Sequence, residues 1–217
     1  MSVGVLDGLL GRPAPPSGAP GAGRLLALPA AAAVLEARTG FVPTGTGGVC
    51  HRLVEGGPFG AFGRAQREIE RLLSGDPARR TGASTDPHGW GWTHLTRAPD
   101  DFEALVADLH LIETVFADAG YGRYLLCSVA GFRRGTGRQL LYLVHTPVRD
   151  AFYPWAPRLP EAPSDPEEAD DPEGAAGAPA RGRSNLVETR TREALAETLP
   201  IEPDRHRWFP VWDAPGL

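Results

Sequence analysis

The sequence predicts an α+β fold: a single domain on a mainly antiparallel sheet, with helices largely on one face. Residues 99–146 carry most of that prediction, because they read as an amphipathic helix followed by two apolar strands around a tight turn. A second strand pair is centred on Asp86-Pro87-His88-Gly89, just upstream. Strands that meet through hairpins, and not through regular strand–helix–strand crossovers, separate α+β from a parallel α/β sheet.

In chain order, residues 1–10 form a short amphipathic arm in which Val5, Leu6, Leu9 and Leu10 share one helical face. A helix this short is marginal in water and needs a surface to lie on. The plain reading is a docked or frayed terminus; the functional one is a membrane or partner contact. Residues 11–23 hold four prolines and four glycines and read as a linker. The domain occupies residues 24–217. Pro29 suits the first turn of a helix over 30–38 that stops at Gly40. Residues 41–54 read as a strand region broken by Pro43 and a Gly45-Thr46-Gly47-Gly48 turn. Pro58 opens a second helix with Phe62, Ala65, Ile69, Leu72 and Leu73 on its apolar face.

The central helix is marked by Phe102, Leu105, Val106, Leu109, Ile112, Val115 and Phe116, which recur three and four apart. Asp100 or Asp101 suits its N-terminus, and Gly120 its left-handed C-terminal cap. Residues 124–132 are nearly all apolar or small, the pattern of a strand covered on both faces. A glycine-containing turn over 134–138 returns the chain as a partner strand over 140–144. Residues 151–157 read as an aromatic edge segment, its two prolines limiting ladder pairing. Seven acids, three arginines and five prolines make residues 158–183 a disordered acidic loop within the domain. Asn185 with Glu188 resembles a capping box for a last helix reaching about residue 199. The tail's Trp208, Phe209, Val211 and Trp212 are expected to fold back onto the domain, since so much aromatic surface is costly in water.

Composition excludes several function classes. The net charge is −5, and the acidic loop alone accounts for −4 of it, so the remainder is close to neutral and lacks the basic face that nucleic acid requires. All 22 basic residues are arginine, which removes a lysine Schiff base and a phosphate-loop lysine. Two cysteines are too few for a disulfide framework and suit a reducing compartment. No apolar run approaches the roughly 18 residues that span a bilayer, and the N-terminus lacks the pattern of a secretory signal. The expected location is cytoplasmic.

Cys50-His51 is the first place to look for a nucleophile, since a thiol needs a base to become thiolate. Side chains adjacent along a strand point to opposite faces, however, so His51 is not expected to reach Cys50, and both Cys50 and Cys127 read as packed thiols. The six histidines include no HxxxH or HExxH spacing and there is no CxxC, which argues against a metal site. Gly45-Thr46-Gly47-Gly48 precedes a strand and not a helix, so it makes a poor phosphate loop. Asp100, Asp101, Glu103 and Asp108 read as a solvated helix flank. Trp90, Trp92 and His94 fall on one strand face, either beneath a covering layer or as a binding surface. No catalytic, cofactor or metal residue emerges.

Several segments together resemble the actinobacterial PspA-associated protein family PspAB. They are Leu6-Asp7-Gly8-Leu9-Leu10-Gly11-Arg12, Leu26-Ala27-Leu28-Pro29, Pro43-Thr44-Gly45 through Val49-Cys50, Ala83-Ser84-Thr85-Asp86, Asp108-Leu109-His110, Leu125-Leu126-Cys127, Phe152-Tyr153-Pro154 and Arg207-Trp208-Phe209-Pro210-Val211-Trp212. The linker and the acidic loop, which looks like an insertion, fall outside the resemblance. It implies a non-enzymatic adaptor of the phage-shock envelope-stress response, without a cofactor, binding PspA or another envelope-stress protein at or near the inner membrane surface. Val5, Leu6, Leu9, Leu10, Trp90, Trp92, Trp208 and Trp212 are the expected contact residues. A thiol-dependent enzyme using Cys50 and a secretion-chaperone-like module binding unfolded segments are the alternatives.

Overall fold

A computed structural model describes residues 22–54, 60–135, 139–158 and 182–212. Val5, Leu6, Leu9 and Leu10, most of the linker, and residues 159–181 of the acidic loop lie outside the described residues. A 3-10 turn at Ala22–Ala27 leads into α1 (Leu28–Thr39), β1 (Val42–Arg52), α2 (Ala61–Leu73), β2 (Arg80–Thr85) and β3 (Trp90–Thr96). Then follow α3 (Phe102–Asp118), β4 (Leu125–Arg134), β5 (Gln139–Thr146), β6 (Ala151–Trp155), the short β7 (Pro157–Arg158) and β8 (Gly182–Arg183), and α4 (Asn185–Leu195).

Six strands form one sheet in the order β2-β3-β1-β4-β5-β6, every neighbouring pair antiparallel. The fold is α+β. Local chemistry sets the elements much as the residue pattern predicts. Proline sits in the first turn of α1, and Gly40 ends it at a left-handed φ of 73°. Gly120 takes the same role after α3 at φ 83°. Asp86 shapes the β2–β3 turn by accepting the backbone N–H groups of His88 and Trp90 at 2.9 Å each. Leu105, Val106, Leu109, Ile112 and Phe116 of α3 share one buried cluster with Val49, Ala130, Phe132 and Leu143 of the sheet. β4 lies between β1 and β5, which accounts for its unbroken apolar run.

Four local expectations need correction. The glycine run at 45–48 is no turn: β1 continues through it, with a register shift between Pro43 and Gly47. Gly45 has φ 79°, and a Cβ there would lie 2.2 Å from the Arg97 carbonyl oxygen, so glycine permits both the bulge and the close approach. Asp101 precedes α3 without capping it; its carboxylate accepts from Arg97 Nη1 at 2.7 Å instead. Asp108 is buried and not solvated, because Arg79 and Arg97 close over it, Arg97 Nε at 2.6 Å, while Arg97 also reaches Asp76 at 2.6 Å. α4 is capped by Ser184, whose hydroxyl accepts from the Val187 N–H at 3.4 Å, and it ends at Leu195. Glu188, freed from any capping role, turns inward to accept from the Ala156 N–H at 3.1 Å and Arg183 Nε at 2.9 Å, and burial pushes its carboxyl above the usual range.

The two sheet edges differ. Beside β6, Phe152 N–H donates to the Pro200 carbonyl at 2.9 Å and accepts at its own carbonyl from Glu202 N–H at 2.8 Å, so the chain after α4 covers that edge. β2 forms the other edge and is largely exposed. Next to β6, Arg158 pairs with Gly182 in the β7–β8 ribbon, which sets the two ends of the acidic loop side by side.

Candidate functional site

α1, α2, α3 and α4 contribute to a single core with one face of the sheet. The opposite face has its own cluster, built from strand positions that alternate with those of the helix core. Cys50, Trp92, Val129, Tyr142, Val144, Tyr153 and Trp155 form it, and Trp208 from the C-terminal tail lies among them. The tail is placed by specific polar bonds. Trp208 stacks on Tyr153 with ring centroids 6.3 Å apart, and its Nε1 donates to the Glu202 carbonyl at 2.9 Å. Tyr153 donates its hydroxyl proton to the Phe209 carbonyl at 3.0 Å, and Arg183 Nη1 donates to the Trp208 carbonyl at 3.0 Å. Trp212 meets Trp155 edge-to-face at 5.0 Å.

The four tryptophans singled out in the sequence thus come to one sheet face and divide into two pairs. Trp92 is 3% exposed and Trp208 2%; both are walls of the cluster. Trp92 Nε1 donates to the Asp86 carboxylate at 3.1 Å, so its polar atom is spoken for as well. Trp90 and Trp212 are half-buried against the same cluster, with Leu126, Leu140 and Val211, and Arg52 lies over the Trp90 ring at 5.7 Å. Phe209 is 65% exposed beside Trp208. The face therefore presents a closed aromatic centre with partly open aromatic positions, the composition that anchors protein–protein contacts.

A family model described as PspA associated protein B matches residues 3–169 and 175–216. The chain belongs to this family. The match runs through the linker and breaks only between residues 169 and 175, inside the acidic segment, so neither segment stands apart from the family as a whole. No curated protein and no solved structure matches the chain.

In this PspAB-family fold the two residues of the Cys50-His51 pair are divided between the two clusters. Cys50 belongs to the aromatic face, whereas the His51 ring packs 5.0 Å from Phe116 and 5.5 Å from Phe62 in the helix core. Burial lowers the His51 imidazole's affinity for a proton. The neighbouring Cys127 thiol, and then burial, push the Cys50 thiol well above its usual range. His51 is thus in no position to serve as a base for Cys50.

The PspAB-family core also holds a polar group that spacing does not reveal. Glu113 Oε1 accepts from Ser128 Oγ at 2.6 Å and lies 3.1 Å from His145 Nδ1, while His145 Nε2 lies 3.6 Å from Asp150 Oδ1. Asp150 sits at φ 50° and pairs with Arg24 at the surface. Ser128 and His145 share the glutamate and not a bond with each other, and neither is accessible, so the order and the access that a catalytic triad needs are both missing. Glu113 is one turn from Leu109 on the stripe of α3, and only the register of β4 and β5 brings Ser128 and His145 under it. Among the described residues no group of three or more His, Cys, Asp or Glu could hold a metal ion, and no helix is long and apolar enough to cross a membrane.

Proposed function

We propose that this protein is a non-enzymatic accessory of the PspA envelope-stress response that binds a protein partner, PspA or another envelope-stress protein, at or near the inner membrane surface. Membership of the PspA associated protein B family is the observation that carries the reading. The aromatic sheet face supports it, because Trp212 and Phe209 stand on a tail fixed by four polar and stacking contacts and are preorganised to meet a partner. The N-terminal arm, through Val5, Leu6, Leu9 and Leu10, supplies an auxiliary contact with the membrane surface or the same partner.

The test is recovery of PspA with the tagged full chain from envelope-stressed cells. The expected result is enrichment over a control bait, reduced at least several-fold by Phe209→Ala with Trp212→Ala and by deletion of residues 1–12. No enrichment of PspA or of any envelope-stress protein would overturn the reading. Unchanged recovery and unchanged liposome flotation after the deletion would remove the arm from it.

A further inference from the structure

The two cysteines, 77 positions apart in sequence, are direct cross-strand partners: Cys50 of β1 pairs with Cys127 of β4. Both are free, and both side chains stand on the aromatic face, Cys50 within the cluster and Cys127 packed against it. Directly opposed residues of an antiparallel pair have Cα atoms about 4.5–5.5 Å apart. A disulfide accepts about 4.4–6.8 Å, so this register needs little backbone movement to bridge the sulfurs. The ladder also has local give. Cys50 and His51 face Cys127 and Leu125, which leaves Leu126 as the extra residue of a bulge next to the pair. Access is unequal: Cys50 is 3% exposed, whereas Cys127 is half-buried.

We propose that Cys50 and Cys127 are a redox modification site, a dithiol that hydroperoxides convert reversibly into an intrachain cross-strand disulfide. Cys127, the more accessible sulfur, reacts first. Its electron pair takes the terminal hydroxyl of the peroxide, the O–O bond breaks, and the departing alkoxide or hydroxide leaves with the thiol proton, giving a sulfenic acid on Cys127. The Cys50 sulfur then attacks that sulfenic sulfur; the S–O bond breaks, and the hydroxyl leaves as water with the Cys50 proton. Two thiols are oxidised to one disulfide while one peroxide is reduced to an alcohol, or to water from hydrogen peroxide, plus a further water. Buried Cys50 meets the sulfenic sulfur across the strand pair and not the peroxide in solution, which sets the order of the two steps. Exchange with a low-molecular-weight thiol reverses the bond. Because the pair lies on the face that carries Tyr153 and Trp208, its state alters the surface against which the tail is seated.

Intact mass and denaturing thiol titration of the reduced full chain, before and after hydrogen peroxide, test this. The expected result is a loss of about 2 Da and of both titratable thiols, with the tryptic peptides 39–52 and 124–133 joined, and recovery of both thiols with dithiothreitol. Cys50→Ser stops at a dimedone-reactive Cys127, and Cys127→Ser shows neither dimedone adduct nor mass loss. Wild-type chain that keeps both thiols, forms only intermolecular dimers, or accumulates sulfinic acid without a disulfide overturns the proposal. The wild-type measurement decides it even where a serine variant folds poorly.

Discussion

Some single residues in this chain hold structure by satisfying several neighbours' polar groups at once. Asp86 is the clearest case: one carboxylate accepts from the His88 and Trp90 backbone and from Trp92 Nε1, tying the β2–β3 turn to the aromatic cluster. Burial works against its charge, but the hydrogen bonds from Trp90, Trp92 and His88 outweigh it and hold the carboxyl below its ordinary value of 3.8. A depressed value means that the folded state gives up the proton more readily than the unfolded chain does. The stabilisation is therefore complete above the ordinary value and is lost as pH falls through the lower folded value. Thermal melts of wild type and Asp86→Asn should differ most near neutral pH and converge on acidification; a constant gap down to strongly acidic pH would assign the effect to shape and not to charge. Such roles were only partly legible. Asp86 reads from the sequence as a turn residue, but its bond to Trp92 needs the hairpin register. Asp108 reads as solvated, since nothing in the periodicity of α3 announces that Arg79 and Arg97 close over it.

Elements follow the sequence closely where their signals are local and depart from it where distant chain decides. Proline at the start of α1, Gly40 at its end and the stripe of α3 are short-range chemistry, and they appear as the sequence predicts. The glycine run of β1 misleads because glycine marks both turns and close approaches; Gly47 and Gly48 lie flat where a Cβ would meet the Val129 carbonyl at 2.9 Å and the Thr93 carbonyl at 3.1 Å. The tail is the element with the greatest non-local dependence. Its aromatic content predicts docking, but only the structure separates Trp208, a buried wall, from Trp212, a half-open position. Trp208→Ala should cost about 3–5 kcal/mol in urea denaturation, the range for emptying a buried aromatic site. Trp212→Ala should cost distinctly less while still weakening partner recovery. Equal losses from the two would contradict the division of the aromatic face into wall and contact.

At the scale of the whole molecule, hairpin connections seen in the sequence lead to the antiparallel sheet, and the helix stripes lead to its first covered face. The second face is where sequence reading stops short, because the unbroken apolar run of β4 shows that both sides are covered without naming what covers them. The order of the strands is equally silent in the sequence: β1 sits between β3 and β4, and this order together with the β1–β4 register creates the Cys50–Cys127 pair. One feature of the periphery, the β7–β8 ribbon, has a practical consequence. Since Arg158 and Gly182 are already paired, the chain between them leaves and re-enters the fold at a single fixed mouth. Loop-closure entropy grows only logarithmically, about 0.6 kcal/mol per doubling of length. A fluorescent protein spliced between residues 159 and 181 should therefore shift the melting temperature by no more than a few degrees, and a loss of cooperative unfolding would show that the ribbon does not anchor the mouth. The ribbon makes this the port through which the protein can be followed in living cells.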